Sequence, residues 1–265
     1  MTSGRDTCDV TVIIPAFNAA STLERAVRSV EQQILLPESV VIIIDTSTDE
    51  TESIARSLEA ENLPFKLTVI SNTSNKGPGR SRNEGWDLAT TKWVAFLDAD
   101  DAWHPNKLNI QISWMENHPE IDMTATQTRL GNSEDNFDGS SFSTTNVTLK
   151  SIVFKNPIPT RSVVLKREIP NRFRAGLSED LALWLELLRA GRQIRKIELP
   201  LATHFRPEYS PGGASSKLLR QERFELKNLM GCFSEAPILV PAAIIFSILK
   251  FFRRVLISVA RKARS

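Results

Sequence analysis

Apolar residues arrive in two alternating rhythms along the first half of the chain. Short continuous runs, rich in β-branched residues, occupy Val10–Pro15, Ser39–Ile44, Phe65–Ile70 and Trp93–Leu97. Runs of that length bounded by polar residues predict buried strands. Between them the apolar positions recur every three or four residues. Leu23, Ala26, Val27 and Val30 predict a helix that opens at Ser21 with a capping-box pattern, Ser21-x-x-Glu24. Thr48–Leu58 predicts a second helix. A Gly/Pro loop at Asn75–Gly79 leads into a third, reaching about Ala89. Pro105 suits the first turn of a fourth, which carries Leu108, Ile112 and Met115.

Strands alternating with helices predict an α/β domain, with a mostly parallel central sheet and helices on both faces. Ligands of such sheets sit beyond the carboxyl ends of the strands. Those ends are Pro15-Ala16-Phe17, Asp45, the loop after Ile70 and Asp98-Ala99-Asp100-Asp101, which are expected to meet at one crevice.

The second half is less regular. Gly131–Asn146 is polar and reads as a mobile loop, Ser162–Leu165 as a short strand and Gln193–Leu199 as another. Glu179–Ala190 predicts a helix with Leu181, Trp184, Leu185 and Leu188 on one face and Gly191 at its end. Ser210–Ser216 reads as a flexible loop, and no internal repeat is visible.

Composition adds exclusions. With 41% hydrophobic and 24% charged residues in 265, the chain can bury a sizeable core. The net charge of +2 hides an asymmetry: the last 30 residues carry six Lys/Arg and no acid, leaving 27 bases against 31 acids before them. No basic stripe crosses the body, which argues against nucleic acid as a partner. Cys8 and Cys232 lie far apart, without metal-ligand spacing, as suits a reducing compartment. Residues 1–9 lack the apolar core of a signal peptide. The expected location is cytoplasmic, at the inner face of the membrane if the tail binds lipid.

The candidate chemistry begins where the fourth strand stops. Asp98, Asp100 and Asp101 put three carboxylates into four positions. Two such charges ~6 Å apart repel by ~3 kcal/mol at an effective dielectric of about 20. A cluster therefore calls for a compensating cation, and oxygen ligands suit Mg2+ or Mn2+. An EF-hand is excluded, since Ala102 takes the third ligand position and no glycine follows. Gly77-Pro78-Gly79-Arg80-Ser81-Arg82 imitates a dinucleotide fingerprint, but Arg82 stands at the third glycine position and the loop follows the third strand. A dehydrogenase is rejected.

Five stretches, in order, resemble an inverting family-2 glycosyltransferase of the GT-A fold: VTVIIPAFNAASTLERAVRSV, VVIIIDTSTDET, NKGPGRSRNEG, WVAFLDADDAWHPNKL and SEDLALWLELLRAG. The resemblance implies a metal-dependent enzyme that moves a sugar from a nucleotide-diphosphate donor, a UDP-sugar, to a hydroxyl of a glycan or lipid-linked acceptor. It implies that Pro15, Ala16 and Phe17 line the base and ribose pocket and that Asp45 reads the uracil ring. Asp98-Ala99-Asp100 matches the DxD motif, Asp98 holding the ribose or a metal-bound water and Asp100 the metal. Arg82 would lie near the nucleotide or diphosphate, and Asp180 matches the base that deprotonates the acceptor. One departure stands out: Ile44 and Thr46 occupy the places of an acid and a glycine in the family's pattern, which leaves the identity of the base open.

Other readings stay beside these. Ser178-Glu179-Asp180 is also an ordinary acidic first turn favoured by the helix dipole. His204, with Arg206, reads as a contact to metal or diphosphate, or as a plain polar residue. Trp184 reads as a platform for an acceptor sugar or as core. A catalytically inactive sugar-nucleotide scaffold or sensor remains the alternative to an enzyme. A nucleotidyltransferase would need a Gly-rich, basic loop after the first strand, which Pro15-Ala16-Phe17-Asn18-Ala19 is not.

The expected organisation is a GT-A domain over 1–235, with a nucleotide-sugar half (1–120) and an acceptor half (121–235), followed by a basic amphipathic helix over 236–265. In the tail, Ser247, Lys250, Arg254, Ser258 and Arg261 form a polar stripe. Ile245, Ile248, Leu249, Phe252, Val255, Leu256 and Val259 form an apolar face. The charge-free run Ala236–Leu249 has 14 residues, short of the ~20 a spanning helix needs. A helix lying on anionic lipid through about 242–262 fits better; packing on the protein's own core or in a dimer is the other reading.

Overall fold

The computed structural model describes residues 5–131, 141–154, 156–176, 178–205, 218–231, 240–249 and 251. Its parallel half is β1 (Thr7–Ala16), β2 (Leu36–Ile44), β3 (Lys66–Ser71) and β4 (Trp93–Phe96), alternating with helices α1 (Leu23–Glu31), α2 (Thr51–Glu59) and α3 (Pro78–Leu88). Then come β5 (Asp101–Trp103), α4 (Lys107–Glu116), β6 (Met123–Leu130), β7 (Thr144–Asn146), α5 (Leu149–Phe154), a 3-10 turn at Thr160–Ser162, β8 (Val164–Lys166), α6 (Glu179–Arg189), β9 (Ile194–His204) and α7 (Leu218–Met230). One more helix covers 240–249.

A single sheet runs in the order β3-β2-β1-β4-β8-β6-β9-β5, with β7 also on β9. The first four strands are mutually parallel. β8 turns antiparallel against β4 and β6, β6 and β9 are parallel, and β5 and β7 pair antiparallel with β9.

The strand period of two splits β1 between two cores. Val10, Val12 and Ile14 pack with Leu23 and Val27 of α1, Ala55 and Leu58 of α2, and Leu108 and Ile112 of α4. Ile13 faces the other way, onto Trp86 of α3, Phe96 of β4 and Leu183 and Trp184 of α6. Both faces of the sheet are thus covered, as continuous apolar strands require.

Several local expectations change. The capping box does not form: α1 starts at Leu23, its N-cap Thr22 makes no side-chain cap bond, and Glu24 pairs with Arg28. The Thr22 and Leu23 amides bond the Ala19 carbonyl instead, at 2.9 Å each. β5 was not foreseen; its three residues become a strand only because β9 supplies a partner, β9 running on to His204. Part of the expected loop 131–146 is β7, while 132–140, Arg206, 210–216 and the tail beyond 251 lie outside the described residues. α6 is buried on more than one face, with Ala182, Leu183 and Leu187 added to Leu181, Trp184 and Leu185. Trp184 is 0% exposed and packs edge-on against Phe173, which makes it core and removes it as a sugar platform.

Candidate active site

Adjacent parallel strands bring their ends together. The Asp45 amide donates to the Ala16 carbonyl at 2.8 Å, and Leu97 donates to Ile13 at 3.1 Å, so β1, β2 and β4 finish side by side. Ala16 is buried, Pro15 half-buried, and the Phe17 ring stands 54% exposed at the mouth. Asn18 and the loop after β2 stitch the first two strand tips. The Asn18 amide donates to Ser47 Oγ, and Asn18 Oδ1 accepts from the Thr48 amide at 2.8 Å. Asp49 Oδ2 accepts from the Ala20 amide at 3.1 Å.

Asp45 is buried and anchors the glycine loop. Its carboxylate accepts from the Lys76 amide at 2.9 Å, the Gly77 amide at 2.7 Å and Asn72 Nδ2 at 3.2 Å. A carboxylate offers about four lone-pair sites, so three protein bonds leave room for one further donor. Thr46, standing where the family pattern has glycine, adopts φ 59°.

The acidic cluster is organised by guanidinium groups. Arg82 Nη2 donates to Asp98 Oδ1 at 2.6 Å and Arg82 Nη1 to Glu179 Oε1 at 3.1 Å, with the arginine side chain only 7% exposed. Arg161, on the 3-10 turn, reaches Asp101 at 3.1 Å and lies 4.0 Å from Asp98. Burial opposes ionisation of Asp98, but Arg82 and then Arg161 outweigh it and hold its carboxyl below the usual range. Burial and the charge of Asp98 push Asp101 up. Arginine thus offsets part of the charge of the cluster, Arg82 pairing with Asp98 and Arg161 with Asp101. Asp100 stands at the tip of the β4–β5 turn, and its carbonyl accepts from Arg25 Nη2 at 2.8 Å.

Among the described residues no three Asp, Glu, His or Cys side chains form a ready-made metal cage. The oxygen donors present still fit Mg2+ or Mn2+, which are held by one or two carboxylates with substrate phosphates completing the shell. His204 is the strand partner of Asp101 in the β5–β9 pair.

α6 closes the crevice from the other side. A Cβ on Gly79 would lie 2.9 Å from Glu179 Cγ, so glycine lets α3 approach the first turn of α6 this closely. Asp180 Oδ2 accepts from Asn156 Nδ2 at 3.1 Å. Burial foremost, and then Glu179, push the Asp180 carboxyl up to about 6, against the Leu181 amide and Arg82. That value suits a proton acceptor working near neutral pH.

Arg25, Asn156, Arg161 and the pairing role of Glu179 escaped the sequence reading. Arg25 carries a weak signal, a charge in the first turn of the amphipathic helix that follows the first strand end. Arg161 and Asn156 carry none, because only long-range folding brings the 156–162 segment to the strand ends.

Comparison with known proteins gives the family and the fold. The model of glycosyl transferase family 2 matches residues 11–174. The chain is 30% identical over 182 residues to the UDP-Glc:alpha-D-GlcNAc-diphosphoundecaprenol beta-1,3-glucosyltransferase WfgD of Escherichia coli, covering 68% of this chain and 70% of that one. Among solved structures, S. aureus TarS 1–349 in complex with UDP-GlcNAc superposes with a TM-score of 0.64 at 19% identity, over 83% of this chain and 66% of that chain. The mannosyltransferase PcManGT from Pyrobaculum calidifontis, in complex with GDP-Man and Mn2+, gives 0.66 at 17% identity, over 95% and 75%. These two likenesses show the fold, and the family match shows the kinship: the chain belongs to glycosyl transferase family 2 and is a glycosyltransferase of the GT-A fold.

Proposed function

We propose that the chain transfers a sugar, with inversion, from a UDP-sugar to a hydroxyl of a glycan or lipid-linked acceptor, using Mg2+ or Mn2+. The observation that carries this reading is the Arg82 link, which holds the acidic strand end and the helix bearing Asp180 at one crevice. Asp180 accepts the proton of the acceptor hydroxyl as its oxygen bonds to the anomeric carbon and the bond from that carbon to the diphosphate breaks. The exposed Phe17 ring, with Pro15 and Ala16, lines the base and ribose pocket. Asp45 offers its remaining lone pair to a ring N–H of the base. Asp98, fixed by Arg82, holds the ribose or a metal-bound water, and Asp100 holds the metal. When bound, the cation neutralises charge on the departing diphosphate. Arg82 lies behind Asp98 and adds positive potential there.

The name of the Escherichia coli relative, with a UDP-Glc donor and a diphosphoundecaprenol-linked acceptor, supports the donor and acceptor classes. Mn2+ in the PcManGT complex supports the metal. The test is a panel of nucleotide sugars, each with Mn2+, Mg2+ or EDTA, read by thermal shift and product release. A metal-dependent shift and turnover with a UDP-sugar is expected. Equal turnover in EDTA would remove the metal, and binding without turnover on any acceptor would favour a sugar-nucleotide scaffold.

The 240–249 helix is proposed to dock on anionic lipid, at the cytoplasmic leaflet. Val240 and Ala243 are buried in the second core, while Ile245, Phe246, Ile248 and Leu249 are exposed. Contrary to the polar stripe read from sequence, Ser247 faces inward, its Oγ donating to Glu222 at 2.7 Å. The outward apolar face leads into a segment whose charged residues are all Lys or Arg, a combination that complements an anionic bilayer. No helix among the described residues is long and apolar enough to cross a membrane.

A further inference from the structure

Asp180 follows two residues with positive φ, a glycine that takes it freely and a serine that does not. Gly176 has φ 124°, and Ser178, the N-cap of α6, has φ 56°. The Ser178 side chain makes no cap bond, and its Oγ is buried without a hydrogen-bond partner. A left-handed non-glycine residue persists only where surrounding contacts over-determine it.

Those contacts come from α7. The Phe224 ring lies against Gly176 so closely that a Cβ there would be 2.8 Å from Phe224 Cε1. Asn228 Nδ2 donates to the Ser178 carbonyl at 3.3 Å. The same carbonyl accepts from the Ala182 amide at 3.2 Å, so Asn228 bonds the atom that starts the hydrogen-bond ladder of α6. α7 is itself backed by the 240–249 helix through the buried Glu222–Ser247 bond.

We propose that Phe224 and Asn228 are positioning residues: α7 clamps Gly176 and Ser178, and so sets the direction from which Asp180 meets the acceptor hydroxyl. The inference rests on the reading of Asp180 as the base. A helix that merely packs would change stability alone. A clamp changes the chemical step, since a misplacement of about 1 Å at a reacting group costs up to roughly 100-fold in rate.

The test uses the full chain. Asn228→Ala removes one donor from a partly exposed helix and is expected to lower kcat by about 10- to 100-fold. The donor KM is expected to stay within about twofold, and the acid limb of the kcat–pH profile to move. Asn228→Gln, which keeps a donor on a longer arm, is expected to recover part of the loss. Phe224→Leu, which keeps apolar volume, gives a second and smaller fall. If Asn228→Ala leaves kcat and the acid limb unchanged while Asp180→Asn abolishes turnover, the clamp is wrong and the base stands. If Asp180→Asn keeps full turnover, the base reading fails and the clamp falls with it.

Discussion

Arg82 meets Asp98 at 2.6 Å from inside the protein, and its other terminal nitrogen reaches Glu179 at 3.1 Å. One buried cation thus joins two acids from segments distant in sequence. Removing it leaves both carboxylates partly buried without their partner, and breaking a buried pair costs about 3–5 kcal/mol. Arg82→Met is expected to lower unfolding free energy by that order in urea titration and to weaken UDP-sugar binding. Arg82→Lys keeps the charge but lacks the fork that spans two carboxylates, so an intermediate loss is expected. A Met variant as stable as the parent would mean the two acids do not need the bridge.

Asp180 gives a pH dependence with a definite sign. Its folded carboxyl lies at about 6, above the ordinary 3.8, because burial and Glu179 disfavour the charge. Its contribution to stability is complete below the unfolded value and is lost as pH rises through the folded one. Asp180→Asn is therefore expected to be more stable than the parent at pH 7 to 8, by up to about 3 kcal/mol, with the gap closing toward pH 4. In the parent, kcat is expected to fall about tenfold per pH unit below about 6, as the base is protonated. A kcat flat down to pH 4 would assign the proton transfer to another group.

Local pattern carried the parallel half well, because β1, β2 and β4 are apolar runs buried on both sides and α1 repeats its apolar residues at helical spacing. The strand ends could be named as a crevice for the same reason. What stayed hidden depends on long-range partners. Asp101–Trp103 is too short to have a period, and becomes a strand only beside Ala202–His204. Ser21 and Glu24 match a cap in sequence, yet the turn at Ala19 takes over the α1 amides. The carboxylate cluster was legible as a need for positive charge, but pattern reading has no means of seeing that Arg82 and Arg161 fold onto it. The inward turn of Ser247 depends likewise on Glu222, 25 residues upstream.

Thr46 holds a left-handed backbone, φ 59°, that a β-branched residue rarely adopts. Its hydroxyl donates to the Asp45 carbonyl at 2.7 Å, a local compensation. Such strain costs of order 1–3 kcal/mol. Glycine relieves it, offset by about 0.5–1 kcal/mol of extra freedom in the unfolded chain. Thr46→Gly is expected to stabilise by about 0.5–2 kcal/mol in thermal unfolding. Thr46→Ala keeps the strain, loses the hydroxyl bond and is expected to gain nothing. If glycine also loses stability, the hydroxyl bond outweighs the strain.

Ile245 and Leu249 lie four residues apart on the outer side of the 240–249 helix, 62% and 63% exposed. Because neither is in the core, replacing both with glutamate is expected to leave thermal stability nearly unchanged. Lipid binding is expected to respond strongly. Each aliphatic side chain contributes about 1.5–3 kcal/mol when fully buried, and each nearby Lys or Arg about 1 kcal/mol at an anionic surface. Loss of part of the first term, with added repulsion from two carboxylates, is expected to weaken co-sedimentation with phosphatidylglycerol vesicles by about 100-fold or more. The parent is expected to bind neutral vesicles less tightly and to release anionic ones as salt rises. Sedimentation velocity separates the competing occupant. A parent that dimerises without lipid, a glutamate variant that stays monomeric and vesicles that capture neither would assign this face to a second copy of the chain and end the membrane reading.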